Sequence, residues 1–194
     1  VLDDAVHRTY VDQTIPLTGR GEEAAWTFQV SDPARPVRVT LCWTDPPGAV
    51  GSGTQGASAL VNRLALRVEA DGRRYLGNAF RNGWSDEPRA GHREGADNLQ
   101  NVYLRPGTAG DTFKVTVAAL DVTTDCLTGE VGDPKQDFAL VVTNGHPSQD
   151  AAPAHVFLVL DADPAASGPA APREDGTATP GDTAAWDSTV LGAA

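Results

Sequence analysis

Apolar and polar residues alternate along much of the first 147 positions, the period of strands with one dry face and one wet face. Trp26, Phe28 and Val30 share one side of the first clear strand, and Val37, Val39, Leu41 and Trp43 share one side of the next. Leu64, Leu66 and Val68 make a third, with Arg63, Arg67 and Glu69 on its wet side. Tyr75 and Leu76 begin a short fourth after the turn Asp71-Gly72, and Val102 and Leu104 mark a fifth, ended by Pro106-Gly107. Phe113, Val115, Val117 and Ala119 form a sixth, its outer face carrying Lys114 and Thr116. Phe138, Leu140 and Val142 give a seventh, closed by Asn144-Gly145, and a weaker strand is expected near Thr14 to Leu17. Short strands separated by turn signals predict an all-β fold, an antiparallel β-sandwich or jelly roll. No window before position 147 carries a convincing helical period, which argues against parallel βαβ units.

The pattern also divides the chain. Residues 1–10 read as a lead-in linker and residues 11–147 as the sandwich domain. Beyond lies residues 148–194, where the apolar run Val156 to Leu160 suggests an extra strand over residues 155–160. From Ala162 onward the chain is Ala, Gly, Pro, Thr and Asp with few large apolar residues. Such a segment buries too little apolar surface to offset its ordering entropy, so it reads as an irregular acidic tail. Trp186, isolated within it, reads as a loose contact rather than a site.

Composition narrows the function classes. The 34 Gly and Pro residues (20 and 14) favour short strands and turns over long helices. With 26 acidic against 15 basic residues the net charge is −11, which repels phosphate backbones and anionic lipids. Nucleic acid and membrane are therefore not expected partners. No stretch approaches the roughly 18 apolar residues of a membrane helix. No basic leader followed by an apolar run is present either, so an export signal is expected upstream.

Candidate chemistry is sparse. His7 and His146 adjoin terminal or turn signals, His92 lies in a polar loop, and His155 opens the late apolar run. None falls in a Gly-x-Ser-x-Gly turn, a His-Glu-x-x-His helix or an Asp-His-Gly context. The stretch Gly51 to Gly56 has the glycines of a phosphate loop but no Lys and no following helix, and reads as a hairpin insertion. Asp86-Glu87 reads as a solvated turn. Cys42 and Cys126 lack zinc spacing; they are candidates for one disulfide, closing a loop of 84 residues and stabilising by about 4–5 kcal/mol, or for two free thiols. Oxygen-bearing side chains gather at Asp45, Asn62, Asp97, Asn98, Gln100 and Asn101. Hard cations such as calcium take six to eight oxygens from loops of this kind. The same residues also cap their own backbone in ordinary turns, and both readings stand at this point.

Several runs carry a family resemblance. Val39-Thr-Leu-Cys-Trp-Thr-Asp-Pro-Pro-Gly48 resembles the Val-Thr-Leu-x-Trp-Thr-Asp-Pro-Pro-Gly signature of a jelly-roll module that follows the catalytic domain in some bacterial subtilisin-like serine proteases. Ala59-Leu-Val-Asn-Arg-Leu-Ala-Leu66 is similar to that family's Ala-Leu-Val-Asn-Asp-Leu-Asp-Leu. Tyr75-Leu-Gly-Asn78 and Gly83-Trp-Ser85 resemble its Tyr-x-Gly-Asn and Gly-Trp-Ser. Asp97-Asn-Leu-Gln-Asn-Val-Tyr103 resembles its Asn-Asn-Val-Glu-Asn-Val-Tyr, and Gln136-Asp-Phe-Ala-Leu-Val-Val142 its closing strand. The blocks keep the family's order across about residues 10–145.

The resemblance implies a β-sandwich like the domain that follows the catalytic unit in proprotein convertases. It implies a secreted, non-catalytic accessory domain that packs on and stabilises a preceding subtilisin-like catalytic domain and aids substrate contact. The parent would be the serine endopeptidase; the catalytic Asp, His and Ser have no counterpart here. Some members carry calcium, and on that basis Asp45, Asn62, Asp97, Asn98 and Asn101 are candidate ligands. The chain departs where the family has acidic residues: Arg63 and Ala65 replace two Asp, and Gln100 replaces Glu. Those exchanges remove charge that Ca²⁺ needs, and the expectation is that no cofactor is required. Trp43 is expected in the core, whereas Trp84 is the candidate surface aromatic for contact with a partner domain. Two rival readings remain: a carbohydrate-binding or adhesive module using Tyr75, Phe80 and Trp84, and a spacer whose role lies in the acidic tail.

Overall fold

Each of the seven clear alternating stretches overlaps a strand. The computed structural model describes residues 7–12, 16–48, 60–88, 90–126, 128, 133–148 and 156–160, with residue 12 and the last five by backbone alone. In chain order the strands are β1 Arg8–Asp12, β2 Glu23–Val30, β3 Val37–Cys42, β4 Arg63–Ala70, β5 Arg73–Leu76 and β6 Phe80–Arg81. They continue with β7 Trp84–Ser85, β8 Leu99–Leu104, β9 Thr112–Asp121, β10 Ala139–Thr143, β11 Gly145–Pro147 and β12 Val156–Leu160. Two five-stranded antiparallel sheets result, in the orders β12-β1-β10-β3-β8 and β11-β2-β9-β4-β5, with β6 and β7 as a separate hairpin. The protein is an all-β sandwich.

The core lies between the two sheets. Every second residue of β2 and β3 is buried apart from half-buried Val30, and Trp26, Phe28, Val39, Leu41, Leu66, Val115 and Val142 are each 2% exposed or less. Trp26 of the second sheet meets Phe138 edge-on at 6.0 Å, while Phe28 stacks on its register partner Phe113 at 5.4 Å. Each large ring removed from water contributes about 2–3 kcal/mol, so these contacts weigh heavily in the core.

Three expectations need correction. Arg8–Asp12 forms a strand that pairs with β10, so residues 8–10 belong to the sheet rather than to a linker. Thr14 and Ile15 lie outside the described residues, and Leu17 makes only an isolated bridge to Gln136. Thr116, assigned to the wet face, is 7% exposed. Its register neighbour Arg67 reaches across β9 to Glu23 at 2.9 Å and holds Glu94 at 2.6 Å, and this ionic strap covers the middle of the outer face. Asn144-Gly145 does not close a strand but turns it from one sheet into the other. Asn144 takes the left-handed φ of 66° and fixes the corner, accepting from Asp32 N and donating to Asp32 O and Arg35 O. A Cβ on Gly145 would stand 2.8 Å from the Phe113 ring, so the crossing needs glycine.

The extra strand expected over residues 155–160 is present as β12, which pairs with β1. The Gly51 to Gly56 loop, His155, the tail from Ala162 onward and Trp186 lie outside the described residues. Among the described residues no helix is long and apolar enough to cross a membrane.

Candidate functional site

The polar residues of the recognised runs collect in three places, and in each they bind backbone. At one end of the sandwich, the β3 end and the start of β4 are clasped together. Both carboxylate oxygens of Asp45 accept backbone N–H groups, from Val61 at 2.8 Å and Asn62 at 2.7 Å. Asn62 itself is fully buried. Its Nδ2 donates to Thr124 O and Gln136 Oε1, and its Oδ1 accepts from the N–H groups of Thr123 and Thr124. Gln136, also fully buried, passes the network on by donating from Nε2 to Thr44 O and Asp137 O. Each buried amide thereby finds partners for most of its hydrogen-bonding capacity, as burial demands.

The second place joins the two sheets. Gln100 faces inward from β8 and is 2% exposed. Beyond the end of β5, β4 has backbone groups without a neighbouring strand, and the Gln100 amide serves them. Its Oε1 accepts from Leu66 N at 2.8 Å and its Nε2 donates to Leu64 O at 2.9 Å. A further donation reaches Asp97 O at 2.9 Å. Beside it, Arg63 donates to Gly95 O and Glu94 O, tying the 91–97 loop to the sheet. An open cleft of about 330 Å³ lies here, lined among others by Asn78, His92, Arg93, Asp97 and Gln100. His92 Nε2 is buried without a hydrogen-bond partner, and no Ser, Thr or Cys lines the cleft.

The third place is the free edge of β8. Ser85 Oγ accepts the N–H of Tyr103, and Asn78 Oδ1 accepts the N–H of Asn101 while Asn78 N donates back to Asn101 O. These clasps occupy edge groups that would otherwise be open to pairing with another chain. Asn78 holds a left-handed φ of 61°, a conformation that Asn tolerates better than most residues.

Several of the candidate calcium ligands have other partners. Asp45 and Asn62 are neighbours, but their oxygens already accept backbone N–H groups. Asp97 is exposed beside Asn78, Asn98 donates to Trp43 O, and Asn101 accepts from Thr40 on the outer face of the first sheet. Where the resembled family has carboxylates, four backbone carbonyls receive N–H donors from Gln100 and Arg63 instead. A guanidinium and an amide nitrogen in that position do not fit a calcium ion. Among the described residues no group of three or more His, Cys, Asp or Glu side chains is placed to hold a metal.

The candidate disulfide is absent, and both cysteines are free. Cys42 occupies an outward position between the core residues Leu41 and Trp43, so its thiol faces solvent. Cys126 sits in the loop after β9 with its thiol on Asp137 Oδ1 at 3.4 Å. Burial pushes that thiol's pKa up, and the carboxylates of Asp137 and Asp125 add to the effect.

Trp43 lies in the core as expected, donating from Nε1 to Asn62 O. Tyr75 is buried as well, which removes it from the cluster with Phe80 and Trp84. Trp84 and Phe80 lie on the β6–β7 hairpin, which the strand reading missed. Its signal was Asn82-Gly83 between short runs, and both residues take the positive φ of a two-residue hairpin turn. His7 and His146, far apart in sequence, bring their rings together at 4.1 Å between centroids, tilted 57° to one another.

In comparisons with known proteins, no family model matches this chain and no curated protein does.

Proposed function

We propose that this chain is a non-catalytic accessory β-sandwich of a secreted subtilisin-like serine endopeptidase, joined to a preceding catalytic domain that it packs against and stabilises. The observation that carries the reading is the use made of the resembling runs. Asp45, Asn62, Asn78, Ser85, Gln100 and Gln136, one from each of the six resembling runs, all hold backbone groups that the two sheets leave over. Polar side chains committed in this way hold a scaffold rigid and are not free to move protons or attack a substrate. A module with that economy contributes through its surface. The secreted setting follows from the same resemblance, and the role requires no metal, since Arg63 and Gln100 supply the donors at the carbonyls nearest the cleft.

The test is the longer polypeptide that carries this chain. An upstream subtilisin-like domain is expected. Deleting residues 8–160 should shorten the half-life of its activity on heating, while turnover of a small peptide substrate stays within about threefold, because remote packing acts on the unfolding rate rather than on the reacting groups. A neighbouring domain of another class, or a half-life indifferent to the deletion, overturns the reading.

A further inference from the structure

Acidic residues outnumber basic ones in this chain, and many of its arginines are engaged. Glu94 and Glu23 hold Arg67, Glu69 holds Arg74, Asp32 holds Arg35, Asp86 holds Arg81, and backbone carbonyls hold Arg63. Arg38 and Arg105 differ. Both are exposed, and among the described residues neither forms an ion pair. Each lies on an aromatic ring instead, Arg38 with Cζ 5.6 Å from the Tyr103 centroid and Arg105 with Cζ 5.5 Å from that of Trp84.

Register brings the two together. Arg38 stands directly opposite Tyr103 on the outer face of the first sheet, and Arg105 follows two residues along the same chain segment. The hairpin adds Phe80, 40% exposed, with its ring 5.2 Å from that of Tyr103. Leu99, 52% exposed, lies on the same outward side of β8. A guanidinium stacked on a ring is held in one orientation, and its in-plane N–H groups stay available for a carboxylate fork. Arg, Tyr, Trp and Phe are also the residue types that concentrate binding energy at protein interfaces.

We infer that the Arg38–Tyr103–Phe80–Trp84–Arg105 face docks a protein segment that presents Asp or Glu side chains beside an apolar one. Charge complementarity selects the acidic groups, because this face carries two ring-stacked arginines that form no ion pair among the described residues. The exposed Phe80 and Leu99 select a protein over an acidic polysaccharide, which offers carboxylates but little apolar surface to cover them. Arg105 also occupies the Trp84 face on which a sugar ring would stack. This docking site stands independently of the accessory-domain reading, since a free peptide reports on it.

The probe is a short glutamate-rich peptide with a central Phe, titrated into the whole chain, with its glutamine counterpart and polygalacturonate as comparisons. Saturable binding of the glutamate peptide alone is expected. Arg38→Ala and Arg105→Ala should each weaken it about tenfold or more, and Arg38→Lys less, since lysine keeps charge but loses the fork. Arg73→Ala, an exposed arginine on β5 of the other sheet, should leave it unchanged. Absence of saturable binding, equal weakening by Arg73→Ala, or binding of polygalacturonate in place of the peptide overturns the inference.

Discussion

Gln100 of one sheet accepts the backbone N–H of Leu66 in the other at 2.8 Å, a side chain completing the ladder where a strand runs out. The same amide donates to Leu64 O and Asp97 O. Gly77 is the close neighbour that makes room, since a Cβ there would lie 2.4 Å from Gln100 Oε1.

Gln100→Ala leaves three backbone groups without partners in a buried place. Each unmet group costs about 1–3 kcal/mol, partly relieved by entering water, so a net loss of about 3 kcal/mol is expected. Urea unfolding measures it; a loss under about 1 kcal/mol would mean that the amide is not a clasp.

Calcium should leave the unfolding midpoint of the unaltered chain where a chelator leaves it. A ligand bound only by the folded state at a hundred times its dissociation constant stabilises by about 2.7 kcal/mol, a shift that thermal unfolding resolves. A calcium-specific rise would show that carbonyls held by Gln100 and Arg63 yield to a metal.

Asn62 and Gln136 should prove coupled. Asn62→Ala removes four hydrogen bonds in the buried network and is expected to cost about 3 kcal/mol. A double-mutant cycle with Gln136→Ala should return an interaction energy of about 1 kcal/mol, because the two side chains share a bond at 2.9 Å. Strict additivity would contradict the network.

The cysteines give a chemical prediction. Thiol titration of the denatured, unreduced protein should find both Cys42 and Cys126 free. In the native protein at neutral pH, Cys126 should react more slowly than exposed Cys42, since a raised pKa keeps Cys126 protonated and only the thiolate attacks. Raising the pH through the elevated value of Cys126 should narrow the gap. Complete protection of both thiols would restore the disulfide.

Strands carrying bulky apolar residues at alternate positions were readable because burial on one face is a local property of sequence. β2 and β3 follow their alternation almost residue by residue, whereas β4 and β9 are buried on both faces through their middles. What was not readable depended on distant partners. Thr116 is dry because Arg67 on the neighbouring strand lies over it, and Arg67 is held by glutamates from two other segments. Asn144-Gly145 has the composition of a terminating turn; only the packing of Gly145 against Phe113 reveals a corner instead. The two cysteines were an even count without a geometry. Asp45, Asn62 and Asn98 could be seen as oxygen-rich, but whether those oxygens face a cation or backbone N–H groups is a three-dimensional question.

The central claim is that this sandwich is an accessory without chemistry of its own, and the purified chain can be asked directly. Incubated with labelled casein and separately with a fluorescent serine-reactive phosphonate, it should release no label above buffer and take up no probe. Casein cleavage that the phosphonate abolishes, with the probe bound to a serine of this chain, would contradict the account.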